Sequence, residues 1–537
     1  MKRLNDLEYL KLNKFSAFMY NVGMFLVSTI PAWCVKLVKK VWSLFLGLGK
    51  FLTGEIKDIV STFVKGNWAV KLSFFVFGLG NIFYGQVMRG ILFLVFEIVF
   101  LWFMFLPEAG GLVWLTKCQW FQTGNTVGNK GPETVMDGIW YEGEFYGQEV
   151  TVYNDDSVRV LFYGLLTVAF IAAFVYTWRL QVKQCRICMD ITASGKKVKS
   201  GKQDLESLLD DQFHKTLLAV PTLGIFIFTV LPIVYMVLIA FTNYGDYMGV
   251  FYSGTTKLFE WVGIAHFESF FTGGTDLGKA FGDILIWTLT WAFFATFTNY
   301  FLGMFVALLI NKKGIKLKKM WRTILVMTIA IPQFISLLYV KNLFTRSGFF
   351  GRMFILNGLI PEFMQQANQL SFWENPITAK ILVIVLNIWI GIPYIMLMAT
   401  GILMNIPEDL YESAKIDGAN SFQQFTKITL PYMLFVTGPY LLTSFVGNLN
   451  NFNVINFLTG GGPSYTSVTD GFTSAGGVTI GHTDLLVTWL YRMTMGSAKV
   501  EYYNASLIGI MVFLVVAILS LIVYNVIPST KNEEDYS

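Results

Sequence analysis

Cysteine and histidine are scarce in this chain of 537 residues, with four of the first and three of the second. Four cysteines do not build a disulfide framework. Cys185-Arg-Ile-Cys188 stands without a second ligand pair nearby, so unpaired thiols in a reduced compartment are favoured over zinc or redox chemistry. His214, His266 and His482 are scattered and form no metal or catalytic cluster. Charge is thin as well, at 14% of residues, and the net charge of +5 comes from bases grouped beside apolar runs, which excludes a nucleic-acid surface. Lys2 and Arg3 are followed by polar and acidic residues rather than an apolar core, so no cleavable signal peptide is expected. The stretch Gly195-Lys-Lys-Val-Lys-Ser-Gly-Lys-Gln has the wrong spacing for a phosphate loop, with Gln203 where Ser or Thr is needed and no strand before it. The chain does not bind ATP by that motif.

What is abundant is apolar sequence: 54% of residues are hydrophobic and the mean hydropathy is +0.54. Runs long enough to cross about 30 Å of hydrocarbon recur, which defines an all-α polytopic membrane protein with about eight spans. The fifty Phe, twenty-four Tyr and fifteen Trp suit lipid-facing and interfacial surfaces. Residues 1–88 form a basic, amphipathic N-terminal region; 15–35 is read as lying on the inner leaflet and 70–86, interrupted by Gly78, Gly80 and Gly85, as re-entrant or interfacial. Residues 89–215 hold two accessory spans, 91–106 and 160–178. Between them lies an acidic extracytoplasmic insert, 107–159, with alternating runs that suggest β-structure, and after them a basic cytoplasmic linker, 179–215. Further spans are expected at 217–241, 284–310, 323–340, 381–404, 431–458 and 507–526, with a 531–537 tail and both termini cytoplasmic. Glu97 lies deep in the first span; a structural hydrogen bond is favoured there over a proton relay.

The most informative stretch is 407–431, a charged island between two apolar segments. Pro407 suits a first helical position, Glu408 and Asp409 a first turn, and Gly418 a left-handed helix end. Leu410, Ala414 and Ile416 lie near one face, with Glu412 and Lys415 on others. Ser421 with Gln424 makes a capping box for a second helix that Pro431 is expected to end. Physics alone leaves two readings level: a helix–turn–helix for docking a partner, or a helix lying on the lipid surface.

Glu412-Ser413-Ala414, Gly418 and Ile428-Thr429-Leu430-Pro431 resemble the signature of importer-type ABC permeases, whose coupling helix docks into an ATP-hydrolysing subunit. The resemblance implies coupling roles for Glu412, Ser413, Ala414, Asp417, Gly418, Ile428, Leu430 and Pro431; Ser413 stands where Ala is usual. From about 217 to 526, and most closely from 387 to 463, the chain is similar to the larger permease subunit of maltose/maltodextrin importers. The permease core on this reading is 216–530 and contains six helices.

Two polar stretches sit where lipid cannot satisfy them, one around Asn387 to Tyr394 and one around Ser444 to Asn453. By physics they suit contacts with a hydrated solute such as a neutral sugar, ahead of hydrogen bonds between helices as the other reading. The resemblance implies sugar contacts at Asn387, Ile390, Gly391, Tyr394, Ser444, Asn448 and Asn451. Gly447 stands where the family has an aromatic ring and Asn453 where it has an aliphatic side chain, and the short 243–282 loop replaces a large folded domain. Implied partners are a second homologous permease, two ATPase subunits that bind the ATP and Mg, an extracytoplasmic sugar-binding protein, an oligosaccharide and membrane lipid, in a bacterial cell membrane. The alternatives are a permease for another glycoside or for glycerol phosphate, a proton-coupled secondary transporter using Glu97, and, least supported, a membrane-bound enzyme.

Overall fold

The computed structural model describes residues 30–526 except 246–258, 357–370, 496–500 and the short stretches 108, 129–131, 142–143, 154, 200–202, 204–205, 208–209, 211–212, 274–275, 313 and 468–469. Residues 15–29 of the expected 15–35 segment and the 531–537 tail therefore fall outside the described residues.

Helices dominate because long apolar runs must satisfy their own backbone groups. In chain order they include α1 (Ile30–Lys65), α2 (Trp68–Leu72), α3 (Leu79–Phe83) and α4 (Val87–Met104). A hairpin follows, with β1 (Pro132–Tyr141) antiparallel to β2 (Glu144–Tyr153), the register running from Pro132 opposite Tyr153 to Tyr141 opposite Glu144. Then come α5 (Ser157–Ala193), α6 (Phe213–Ile239), α7 (Asp276–Asn311), α8 (Lys318–Ala330), α9 (Gln333–Leu343) and α10 (Pro376–Leu403). The last are α11 (Glu408–Ile416), α12 (Ser421–Leu449), α13 (Phe452–Leu458), α14 (Leu486–Met495) and α15 (Tyr502–Val526). Among the described residues seven helices are long and apolar enough to cross a membrane, and the α8–α9 pair, bent by 95°, makes an eighth if it is one span.

Three expected boundaries change. The 160–178 span continues as helix to Ala193, because Arg179 and Arg186 are ion-paired to Glu55 and Asp58 rather than needing water at a helix end. The Arg179 guanidinium bonded to Asp58, with Arg186 beside it, holds that carboxyl below the usual carboxylate range. The 323–340 span is broken. The 431–458 span stops at Leu449, where Asn450 leaves helical geometry and Asn451 caps α13 through the Val454 amide.

The chain forms two compact units. One comprises residues 1–113 and 166–224, the other 114–165 and 225–537. In the first, α4 packs on α5 through rings, Phe100 stacking on Phe174 with centroids 3.8 Å apart. The short helix α3 and the end of α2 fall within the 70–86 segment expected to be re-entrant or interfacial. Glu97, buried in α4, accepts a 2.8 Å hydrogen bond from the Phe77 amide, which makes it a structural carboxylate for that segment. Cys185 and Cys188 are buried free thiols, lying 3.5 Å from the Ser73 hydroxyl and 3.4 Å from the Gln86 side chain.

In the second unit α7 runs past successive clusters. Ile284, Trp291, Ala295, Tyr300, Met304 and Ala307 recur at helical spacing and are all buried. Small residues allow close approach to α10: Gly303 abuts Ile395, and Gly391 abuts Asn299. Part of the 107–159 insert is stitched to the 243–282 loop. The Trp261 amide donates to Asn125 (3.0 Å), the Gly124 amide to Trp261 (2.8 Å) and the Val127 amide to Phe259 (2.9 Å). The buried Trp261 indole donates to the Cys118 carbonyl at 2.8 Å, and burial pushes the Cys118 thiol up to about 12.

Candidate translocation site and coupling element

The cavity lies where α8 breaks from α9. Ile331 (φ −82°, ψ 125°) and Pro332 (φ −53°, ψ 127°) are both extended, because a proline disfavours helical geometry at the residue before it and cannot donate into a helix. The resulting bend faces α10 across a cavity of about 440 Å³, with Gln333, Ser336 and Ile331 on one wall and Trp389, Ile390 and Tyr394 on the other.

Of the residues the resemblance singled out, Ile390 and Tyr394 line this cavity. Asn387 is buried one turn away on the same helix. Gly391 takes a packing position, since any Cβ there would run into the Asn299 carboxamide. Gly391→Ala is expected to cost about 1–3 kcal/mol through overpacking. Gly447→Ala, where a Cβ meets nothing within 4 Å, should be close to neutral. Thermal unfolding of the two purified variants in detergent checks the contrast.

The α12 amides are engaged with protein. Asn448 donates to the Thr296 hydroxyl at 3.0 Å and accepts from Asn451 at 3.3 Å, while its carbonyl takes the Trp291 indole proton at 3.1 Å. Ser444 pairs with Tyr440, whose ring lies 6.2 Å from that of Tyr394. Trp389, Gln333 and Ser336 were not singled out from sequence. The available signal was Pro332 within an apolar run, followed at once by a glutamine.

The 407–431 element is two helices with a bend, as expected, with three differences in detail. Pro407 sits at the N-cap (ψ 132°) rather than inside α11. Gly418 is left-handed (φ +79°), and the Gly418 amide bonds to Lys415 and the Ala419 amide to Ala414, a Schellman closure. The capping box starts one residue earlier than expected: Asn420 accepts from the Gln423 amide and Gln423 from the Asn420 amide, each at 2.9 Å. Asn caps as well as Ser, and Asn420 is the extended residue while Ser421 is already helical. Pro431 does not end the helix. A π-turn over Phe425–Thr429, with the Leu430 amide reaching back to Phe425, widens the backbone so that the proline ring fits. The same device precedes Pro232 in α6, at Phe226–Val230.

Glu412, Ser413, Asp417, Gly418 and Pro431 are exposed; Ala414, Ile428 and Leu430 are half-buried, Leu430 against the Tyr300–Met433 cluster. Tyr411 and Thr429 hydroxyls pair at 2.9 Å and brace α11 on α12. Leu410, Phe422 and Ile416 project outward, Ile416 being 87% exposed. Apolar side chains exposed on a charged element suit a contact with another protein or with the membrane surface.

A multi-pass helical membrane protein, with a broken span beside a cavity and a braced helix–turn–helix at the far end of that cavity's helices, has the build of a transport permease. Residues 299–531 match the family described as the binding-protein-dependent transport system inner membrane component. The galactooligosaccharides transport system permease protein GanP of Bacillus subtilis (strain 168) is 34% identical over 381 residues, 70% of this chain and 85% of that protein. The maltodextrin transport system permease protein MalC of Streptococcus pneumoniae is 31% identical over 456 residues, 83% of this chain and 93% of that protein. Among solved structures, a bacterial alginate ABC transporter in complex with alginate pentasaccharide-bound periplasmic protein aligns with a TM-score of 0.45 at 22% identity, over 60% of this chain and 95% of the other. The chain belongs to the binding-protein-dependent transport inner membrane component family, as a non-catalytic permease subunit.

Proposed function

We propose that this chain is a transmembrane subunit of an ATP-driven oligosaccharide importer in a bacterial cell membrane, with both termini cytoplasmic. The observation that carries the reading is an uncharged cavity between a broken span and α10, in a chain whose relatives are named for galactooligosaccharide and maltodextrin transport. An extracytoplasmic binding protein delivers the sugar to a path shared with a second, homologous permease. Two ATPase subunits, which would hold the ATP and Mg, dock on 407–431 and its counterpart. Glu412, Ser413, Ala414, Asp417 and Gly418 form the docking side, and Ile428, Leu430 and Pro431 carry the movement into α12. Asn387, Ile390, Gly391, Tyr394, Ser444, Asn448 and Asn451 belong to the path, Ile390 and Tyr394 at its surface. Domain boundaries follow: 1–88, 89–215 and 531–537 are accessory to a 216–530 core.

The test is ATPase activity of the chain purified with the products of its neighbouring genes, with and without binding protein, across α- and β-linked oligosaccharides. Stimulation by one sugar-loaded binding protein is the expected result. Uptake that follows a proton gradient with no ATPase bound would overturn the reading.

A further inference from the structure

We propose that Asn311 is a positioning residue for coupling: its carboxamide fastens α8 to α10 at the ends away from the cavity, so that a movement of the 407–431 element reaches both cavity walls together. This rests on the ATP-driven importer reading and goes beyond it, because it names a residue outside the coupling element and outside the two polar stretches.

Asn311 is the last residue of α7, and its side chain meets three helices. The Nδ2 group donates to the Ala307 carbonyl of its own helix at 2.8 Å and to the Thr400 hydroxyl of α10 at 3.1 Å, while Oδ1 accepts from the Arg322 guanidinium of α8. The Asn311 backbone carbonyl takes the Lys318 ammonium at 3.2 Å. A helix end leaves carbonyls without partners, so the Ala307 bond alone would serve as a cap. The bonds to Thr400 and Arg322 add nothing to that cap and reach two other elements.

Those two elements face each other across the cavity. Arg322 precedes the lining residue Thr328 by six positions and Thr400 follows the lining residue Tyr394 by six, about 9 Å of helix in each case. Beyond Thr400, α10 ends at Leu403, just before the coupling element opens at Pro407. The fastening is also exchangeable. Among the described residues Arg322 pairs with no carboxylate, and its Nε is buried without an acceptor. A carboxylate would hold the guanidinium about twice as strongly as this amide does. The turn entering α8 is strained, since Leu317 is left-handed (φ +59°), a conformation kept only where neighbouring contacts over-determine it. Lys318 and Arg322, both bonded to Asn311, supply those contacts.

The test uses the whole complex in proteoliposomes with its binding protein, and labelled maltotriose and β-galactotriose as probes. It reads ATP hydrolysis with and without loaded binding protein, and sugar imported per ATP. Thr400→Val, which keeps the shape and removes the hydroxyl, and Asn311→Leu are each expected to lower sugar imported per ATP about fivefold, the weight of one intramolecular hydrogen bond. Assembled complex should be recovered at wild-type yield, and Thr400→Ser should stay within about twofold of wild type because its hydroxyl remains. The two residues share one bond, so the double variant should be no worse than Asn311→Leu alone. An unchanged ratio in Thr400→Val, or losses that multiply in the double variant, would overturn the assignment. So would hydrolysis and import falling together with their ratio kept, the mark of a merely structural contact. If Asn311→Leu does not assemble, Asn311→Ala carries the same readout. A wild-type complex whose hydrolysis no sugar-loaded binding protein stimulates would remove the importer reading, and this assignment with it.

Discussion

Asp484→Ala is expected to be the most destabilising single change in the second unit, at about 3–5 kcal/mol. The Asp484 carboxylate is fully buried. It accepts from the Gly481 amide at 2.7 Å and the Thr488 hydroxyl at 3.1 Å, and it is paired with Arg492. Gly461, in a left-handed conformation (φ +93°), brings its backbone against the same carboxylate, where no Cβ would fit. One side chain thus ties the 459–463 turn to the start of α14, whose Leu486, Trp489 and Met493 sit in a cluster with α7 and α15 residues. Removing it strands the Arg492 guanidinium, whose pKa burial already lowers, together with two donors. Fluorescence-detected size exclusion after a heat ramp measures the loss. Asp484→Asn should fall between wild type and alanine, and Asp484→Asn with Arg492→Gln should recover stability relative to Asp484→Ala, because no charge is then left unpaired. A melting curve for Asp484→Ala that overlays the wild type would show the pair to be dispensable.

Gly418→Pro is expected to abolish stimulated ATP hydrolysis while the subunit still inserts and purifies. Proline holds φ near about −65°, whereas Gly418 sits at +79° and donates its amide to Lys415 at 3.0 Å. The substitution therefore misdirects α11 relative to α12 and removes one bond of the closure. Gly418→Ala should cost about 1 kcal/mol and reduce stimulation only in part. Gly418→Asn should retain most of it, since asparagine enters the left-handed region with little penalty. A Cβ at 418 meets nothing within 4 Å, so conformation and not crowding separates the three variants. Equal stimulation in the proline and asparagine variants would break the link between this turn and coupling.

These two positions also mark how far the chain can be read unaided. Gly418 was legible because a left-handed helix end is a local event, specified by a glycine after an amphipathic turn. The capping box was misplaced by one residue because Asn420 and Ser421 are both good caps, and local sequence does not rank them. Asp484 carried no such signal. Its value comes from Gly461, Thr488 and Arg492 meeting around it, contacts that no period or spacing announces. The cavity shows the same limit: Pro332 could be seen to interrupt a span, but not that Trp389 and Tyr394 would face the gap.

By itself the sequence determined that this protein crosses a membrane many times, that it carries a capped helix–turn–helix between apolar segments, and which spans hold buried polar groups. Those properties follow from hydropathy, helix-end chemistry and the cost of backbone in lipid, all local. Only the tertiary structure decided what each polar group does. It gave Glu97 to the Phe77 amide and Gly391 to Asn299, set Asn448 and Asn451 between helices, and left Gln333 and Ser336 facing an open cavity. In hydrocarbon a polar side chain takes whichever partner packing brings within reach, so the choice between structural contact and solute contact is made by helix placement.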